Sequence, residues 1–184
     1  MTTKIDVLPI ITRHFDTLRN NATGARSLAD IVVFFGFPLI ASLAAFYYRL
    51  TLTADALTAV LASFSIFAGL LLNLMLLVYT FAGEPGRTDL FAANIKQFIR
   101  ELHDNIEFAV LVSVFIVILS LIAVATLKKE DANTAAHTGR VTTAILVYLT
   151  ANFILTLLMV LKRIHMMLLE KLSRPSASSM RKAS

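Results

Sequence analysis

The chain has 184 residues, of which 57% are hydrophobic and 16% are charged, and its formal net charge is +5. A soluble domain typically has about 25% charged residues, because polar groups must cover its large surface. The composition therefore excludes a typical soluble enzyme and favours a membrane protein. Lysine and arginine near a bilayer explain the positive charge better than nucleic-acid binding, which we do not expect.

Residues 1–27 are expected to form a cytoplasmic amphipathic segment. Apolar side chains recur there at Leu8, Ile11, Phe15 and Leu18. This spacing places them along one side of a helix. The segment contains no apolar run of the length that a signal peptide requires.

Four stretches without Asp, Glu, Lys or Arg follow, and each is long enough to cross a bilayer. A helix needs about 20 apolar residues to cross ~30 Å of hydrocarbon, within a range of about 17–25. The stretches have 18, 28, 20 and 21 residues and are Ile31–Tyr48, Ala56–Gly83, Phe108–Leu127 and Val141–Leu161. They predict an all-α integral membrane protein in which residues 28–172 form a domain with four transmembrane helices at about 29–49, 55–83, 106–127 and 141–163.

A cytoplasmic amphipathic helix is expected at residues 88–106, between spans two and three. Glu84-Pro85-Gly86 interrupts the chain before it. No glycine or proline separates the helix from span three, so the sequence leaves open whether the two are continuous. Its apolar side can pack on lipid headgroups, on other cytoplasmic segments or on a protein partner. The candidate docking residues on that side are Phe91, Ile95, Phe98 and Leu102.

Basic residues are distributed unequally between the two sides of the expected bundle. Thirteen of the 17 lie in the amino-terminal segment, in the loop between spans two and three, and in the chain from Lys162 through the basic tail at 173–184. That tail is small and polar and is expected to be flexible. The positive-inside rule therefore places both termini in the cytoplasm.

Two polar faces lie within the expected spans. Their residues have i, i+4, i+8 spacing, so each set shares one side of its helix. Two interpretations stay open: close packing of helices through small residues and amides, or a wet pathway through an oligomer. Packing is the commoner use. The faces are Ser65, Gly69 and Asn73 in span two and Tyr148, Asn152 and Thr156 in span four.

Charged residues at the cytoplasmic ends of the spans are candidates for interfacial ion pairs rather than for a proton relay. These candidates are Arg26, Asp30, Glu107, Lys162 and Arg163. The histidines lack metal-site spacing, the chain has no cysteine, and no nucleotide-binding or nucleophile motif occurs. We therefore expect no catalytic residue, no metal and no cofactor.

Two stretches, residues 65–74 (SIFAGLLLNL) and 105–113 (NIEFAVLVS), resemble segments of small bacterial multi-span membrane proteins. Those proteins include membrane components of anti-phage defence systems. The resemblance implies a location in the bacterial inner membrane and a role as a membrane effector or as the anchor of a cytoplasmic sensor. It implies no catalytic residue.

The expected function is therefore that of a non-enzymatic, homo-oligomeric inner-membrane protein. It would act as the membrane anchor or the effector of a cytoplasmic protein partner. The expected process is anti-phage defence, in which the protein would perturb the lipid bilayer. The alternative is an oligomeric ion channel or small-solute pore lined by the polar faces of spans two and four. The segments outside the cytoplasm are too short to form a domain.

Overall fold

The computed structural model describes residues 7–16, 32–82, 90–127 and 132–172. Every element in this part of the chain is helical, which confirms the predicted all-α class for it. A π-helical segment at Val32–Gly36 leads directly into the α-helix that begins at Phe37. The α-helices are α1 Leu8–Asp16, α2 Phe37–Tyr47, α3 Ala54–Ala82, α4 Leu90–Leu127 and α5 Ala132–Leu172. The predicted tail at 173–184 lies outside the described residues.

Three of the helices are long and apolar enough to cross a membrane. Their candidate spans have 27, 30 and 28 residues and are Ala54–Thr80, Gln97–Thr126 and Gly139–Met166. The apolar helical stretch Val32–Tyr47 is shorter. At about 1.5 Å per residue it extends about 24 Å, less than the ~30 Å of a bilayer core. The chain is thus a helical protein with three membrane-span-length helices among the described residues.

The third predicted span and the helix before it form one continuous element. Helix α4 runs for 38 residues from Leu90 to Leu127. No glycine or proline interrupts this range, so nothing in the sequence breaks its backbone hydrogen bonds. The helix predicted at 88–106 is therefore continuous with span three from Leu90 onward.

Helix α4 lies at the centre of the bundle. It packs along α3 and α5, while α2 packs on α5 and α1 packs on α4. Helix α3 buries a strip that recurs every seven residues, and its Phe64 ring meets Phe153 of α5 edge-on with 5.0 Å between centroids. The strip consists of Leu57, Phe64, Leu71 and Val78. Packing of this kind holds helices together in lipid, where the hydrophobic effect between helices is absent.

Candidate functional site

A pair of polar side chains is buried where α1 packs on α4. His14 of α1 and Asn105 of α4 are both 0% exposed. The imidazole Nδ1 lies 2.9 Å from Asn105 Oδ1. Because an amide oxygen only accepts hydrogen bonds, Nδ1 carries the proton and donates it. A buried donor and acceptor thus satisfy each other across two helices.

Aromatic rings enclose the His14 imidazole. The ring stacks on Phe108 of α4, with 3.9 Å between centroids and planes 2° apart. It also meets Phe34 of the π segment at 5.2 Å between centroids. One side chain of α1 therefore contacts both α4 and the segment that leads into α2.

Burial sets the protonation state of His14. Desolvation lowers the pKa of the imidazole from 6.5 to about 4, the hydrogen bond with Asn105 opposes this shift, and the positive charge of Arg163 adds to it. The ring is therefore neutral at neutral pH. Protonation would place a charge among aromatic rings and is disfavoured.

An ion pair lies one helical turn before Asn105. Arg163 Nη1 of α5 contacts Glu101 Oε2 of α4, and the two side chains are only 13% and 17% exposed. Gln97 Nε2 donates a hydrogen bond of 3.0 Å to the other carboxylate oxygen of Glu101. The buried carboxylate of Asp104 also acts on Arg163 electrostatically. This end of the bundle thus combines a neutral buried pair with a charged one.

The predicted interfacial charges do not all meet one another. Arg163 pairs with Glu101, and Glu107 contacts His103 Nε2 at 3.1 Å, one turn away on the same helix. Lys162 is exposed. Arg26 and Asp30 lie outside the described residues.

The predicted polar face of span four lies inside the bundle. Asn152 and Thr156 are buried, and Tyr148 is half-buried. Asn152 Nδ2 donates to the carbonyl oxygen of Phe34 at 3.5 Å. In an α-helix this carbonyl would accept from the amide of residue 38, but Pro38 has no N–H. The asparagine amide thus joins α5 to the π segment at a carbonyl that Pro38 cannot serve as an α-helical donor.

The predicted polar face of span two points the other way. Ser65, Gly69 and Asn73 are exposed, and at 100° per residue they lie on the side of α3 opposite its buried strip. A Cβ added at Gly69 would meet nothing within 4 Å. Within one copy, the polar face of span two therefore points out of the described bundle, and the polar face of span four points into it. The two faces do not line a shared cavity among the described residues.

The predicted docking residues lie in different environments. Leu102 is 4% exposed and belongs to the core, because α3 and α5 cover that side of α4. Phe98 is half-buried. The side chains of Phe91 and Ile95 lie outside the described part of the chain.

Sequence reasoning missed the residues at the centre of this site. His14 lies beside the apolar stripe predicted for α1, and the helix turns so that His14 is buried while Leu8 is 65% exposed. The sequence feature that could have indicated Asn105 is its position between the charged and the apolar part of α4. No group of three His, Asp or Glu that could hold a metal occurs among the residues with described positions.

Comparison with known proteins gives no further constraint on this site. No protein-family model, no curated protein sequence and no solved structure matches the chain.

Proposed function

We propose that the protein is a four-span, non-enzymatic membrane anchor or effector whose α1-bearing end faces a cytoplasmic partner. We place it in the bacterial inner membrane with both termini in the cytoplasm. The distribution of basic residues supports this orientation, since 13 of the 17 fall on the proposed cytoplasmic side. The apolar character of three long helices supports the membrane location.

The positions of α1 and of the later part of α5 support a fourth crossing. His14 of α1 contacts Asn105, and Arg163 near the end of α5 contacts Glu101, so α1 and the end of α5 lie at one end of α4. The backbone N–H of Leu52 donates to Thr143 Oγ1, close to the other end of the span in α5. The chain between α1 and Leu52 therefore passes from one end of the bundle to the other. The apolar stretch Val32–Tyr47 lies in this part of the chain and supplies the crossing in our proposal.

The single observation that carries the function is the burial of His14. An amphipathic helix outside the candidate spans is joined to the intramembrane bundle by a hydrogen bond and a stacked ring. A protein that displaces or holds α1 would change the packing of Phe34 and Phe108. This gives a physical route from a cytoplasmic partner to the membrane helices.

Photo-crosslinking in living cells tests for this partner. A photoreactive amino acid replaces Arg13, which is exposed on α1, or Thr51, at the other end of the bundle, as the matched control. We expect a discrete adduct with a second protein from position 13 and none from position 51. Adducts with lipid alone at position 13, or the same adduct from both positions, would contradict the proposal.

The resemblance to components of anti-phage systems supports a defence role. Phage challenge of cells that carry the native locus tests it. We expect Asn105→Leu, which removes the acceptor for His14, to weaken protection, while Thr12→Ala on the exposed side of α1 leaves it unchanged. Equal plaque counts with and without the locus, for a broad set of phages, would argue against a defence role.

We further propose that copies associate through the exposed polar face of α3. Glycine in a helix costs about 1 kcal/mol relative to alanine, and no contact within the described copy requires Gly69. The Asn73 amide has no hydrogen-bond partner among the described residues, yet an unpaired amide is unfavourable in hydrocarbon. A second helix packed close to Gly69 would let amides of two copies bind each other.

Native mass spectrometry of the protein in detergent micelles tests this interface. We expect an oligomer for the natural sequence and monomers for Gly69→Leu and Asn73→Leu. The control is Leu70→Phe, which adds bulk one residue away but about 100° around the helix. Monomers for the natural sequence, or oligomers that all three substitutions leave intact, would contradict the interface.

A pore is the alternative function, and the exposure of Asn73 is the observation that favours it. In a ring of copies the α3 face could line a water-filled path. Ion flux into liposomes then falls for Asn73→Leu and not for Ser63→Leu, which lies on the flank of the same helix. Absence of flux for the natural sequence would remove the pore and leave the anchor.

A further inference from the structure

The end of the bundle away from α1 carries an arginine in an unusual backbone conformation. Helix α2 ends in a Schellman motif: Leu50 N–H donates to Ala45 O at 2.9 Å, and Arg49 N–H donates to Phe46 O at 3.1 Å. Arg49 occupies the left-handed position of the motif with φ 56°. Glycine is the usual residue at this position.

An arginine at that position is conformationally unfavourable. The left-handed region costs a residue with a Cβ roughly 1–2 kcal/mol. Helix termination alone would be served better by glycine, so the Schellman motif does not explain the side chain. Strained residues concentrate at functional sites, so the strain at Arg49 favours a role for its guanidinium group.

The Arg49 side chain lines a groove of about 530 Å³ between α2 and α5. The other lining residues are Leu43, Phe46, Tyr47 and Arg140. Both arginines line the groove because the start of the α5 span packs on the chain after α2, where a Cβ on Gly139 would lie 3.7 Å from Thr51 Cγ2. Among the described residues no carboxylate lines the groove. The groove is therefore positively charged at its polar side and apolar along α2.

We propose that this groove binds an anionic phospholipid. The phosphate lies between Arg49 and Arg140, and an acyl chain lies along the exposed side chains of Leu43 and Phe46. The groove is at the depth of headgroups, because the candidate span of α5 begins at Gly139. Tyrosine is enriched at this depth, which suits Tyr47. A free anion would use the two arginines but not the apolar wall, so we assign the groove to a lipid.

Lipid selectivity of the whole chain tests the site. The protein is purified in detergent and titrated with phosphatidylglycerol or with phosphatidylcholine of the same acyl chains, and bound lipids are counted by native mass spectrometry. A basic residue near a membrane surface contributes about fivefold in affinity for anionic lipid. We expect the natural sequence to prefer phosphatidylglycerol and each of Arg49→Gly and Arg140→Gln to lose about fivefold of that preference.

Arg49→Gly separates binding from folding. Glycine suits the left-handed position, so this variant is expected to keep or raise the thermal midpoint while it loses lipid preference. Lys162→Gln, at the exposed cation of the opposite end, is the charge-matched control and keeps the preference. Unchanged preference in both arginine variants, or an equal loss in the lysine variant, would overturn the proposal. Displacement of the bound lipid by excess inorganic phosphate would assign the groove to free anions and would also overturn it.

Discussion

The Nδ1 atom of His14 lies 2.9 Å from Oδ1 of Asn105, 91 residues further along the chain, and both side chains are fully buried. This hydrogen bond fixes a short helix near the amino terminus against α4, at the boundary between the charged and the apolar part of that helix. It also brings the amino-terminal helix to the same end of the bundle as the ion pair between Glu101 and Arg163. The organisation of that end follows from these two contacts.

Acidification is expected to weaken the docking of α1. The pKa of His14 is about 4 in the folded protein and 6.5 when the ring is free in water. Between these values the undocked state binds more protons, so stability is full above pH 6.5 and falls as the pH drops toward 4. The loss is about 2 kcal/mol at about pH 5 and approaches about 3 kcal/mol below pH 4.

The measurement is the fluorescence of a dye on an Arg13→Cys variant, which is labelled at one site because the chain has no cysteine. His14→Phe is the control, since it keeps a stacked ring and does not titrate. Its signal is expected to be flat across the range in which the histidine form changes. The same pH response in both proteins would show that another group is responsible.

Removing Asn105 is expected to destabilise the protein. Asn105→Leu leaves the buried Nδ1–H of His14 without this acceptor, a loss of about 1–3 kcal/mol. The double variant with His14→Phe removes both polar groups and should recover most of that loss. Unfolding by SDS in mixed micelles measures the free energies. Thr12→Ala is the control on α1. Additive effects of Asn105→Leu and His14→Phe would contradict direct pairing of the two side chains.

The ion pair between Glu101 and Arg163 is expected to matter more than a surface pair. Glu101→Gln leaves a largely buried guanidinium without its carboxylate, which should cost about 1–3 kcal/mol. Lys162→Gln, an adjacent but exposed cation, should change stability by less than about 0.5 kcal/mol. The same micelle unfolding assay compares them. A loss for Lys162→Gln as large as that for Glu101→Gln would show that general charge, and not the pair, is being measured.

Asn152 and Pro38 are expected to be coupled. Asn152→Leu removes the donor to the Phe34 carbonyl, and interhelical hydrogen bonds in membranes contribute about 0.6 kcal/mol on average and about 1.7 at most. In a Pro38→Ala background, residue 38 has an N–H that can reach the same carbonyl. The effect of Asn152→Leu should therefore be smaller there. An equal effect in both backgrounds, measured by the same unfolding assay, would mean that Asn152 acts through packing alone.

Apolar periodicity and charge-free length were enough to predict helices α3, α4 and α5. They left open whether the helix predicted at 88–106 is continuous with span three, because the lack of a breaker residue permits one helix but does not exclude a bend, and the structure shows one helix from Leu90 to Leu127. The first span is different, because Pro38 and the π segment alter the backbone there. An α-helical template therefore predicts its position but not its local geometry.

The buried polar site was predictable only in part. The amides and hydroxyls of α5 were recognised from their spacing, but the spacing does not distinguish the inner side of a helix from the outer side. That distinction depends on tertiary packing, which placed Asn152 inside and Asn73 outside. The pairing of His14 with Asn105 joins residues 91 positions apart, and no local pattern encodes such a contact.

We predict that α1 and the polar end of the bundle face the cytoplasm, with an even number of membrane crossings between the two termini. Labelling of single cysteines in spheroplasts by a membrane-impermeant maleimide tests it most directly, because the natural chain has no cysteine. We expect Thr51→Cys to react in intact spheroplasts and Arg13→Cys to react only after the membrane is permeabilised. Reaction of Arg13→Cys in intact spheroplasts, or protection of both positions until permeabilisation, would contradict the account.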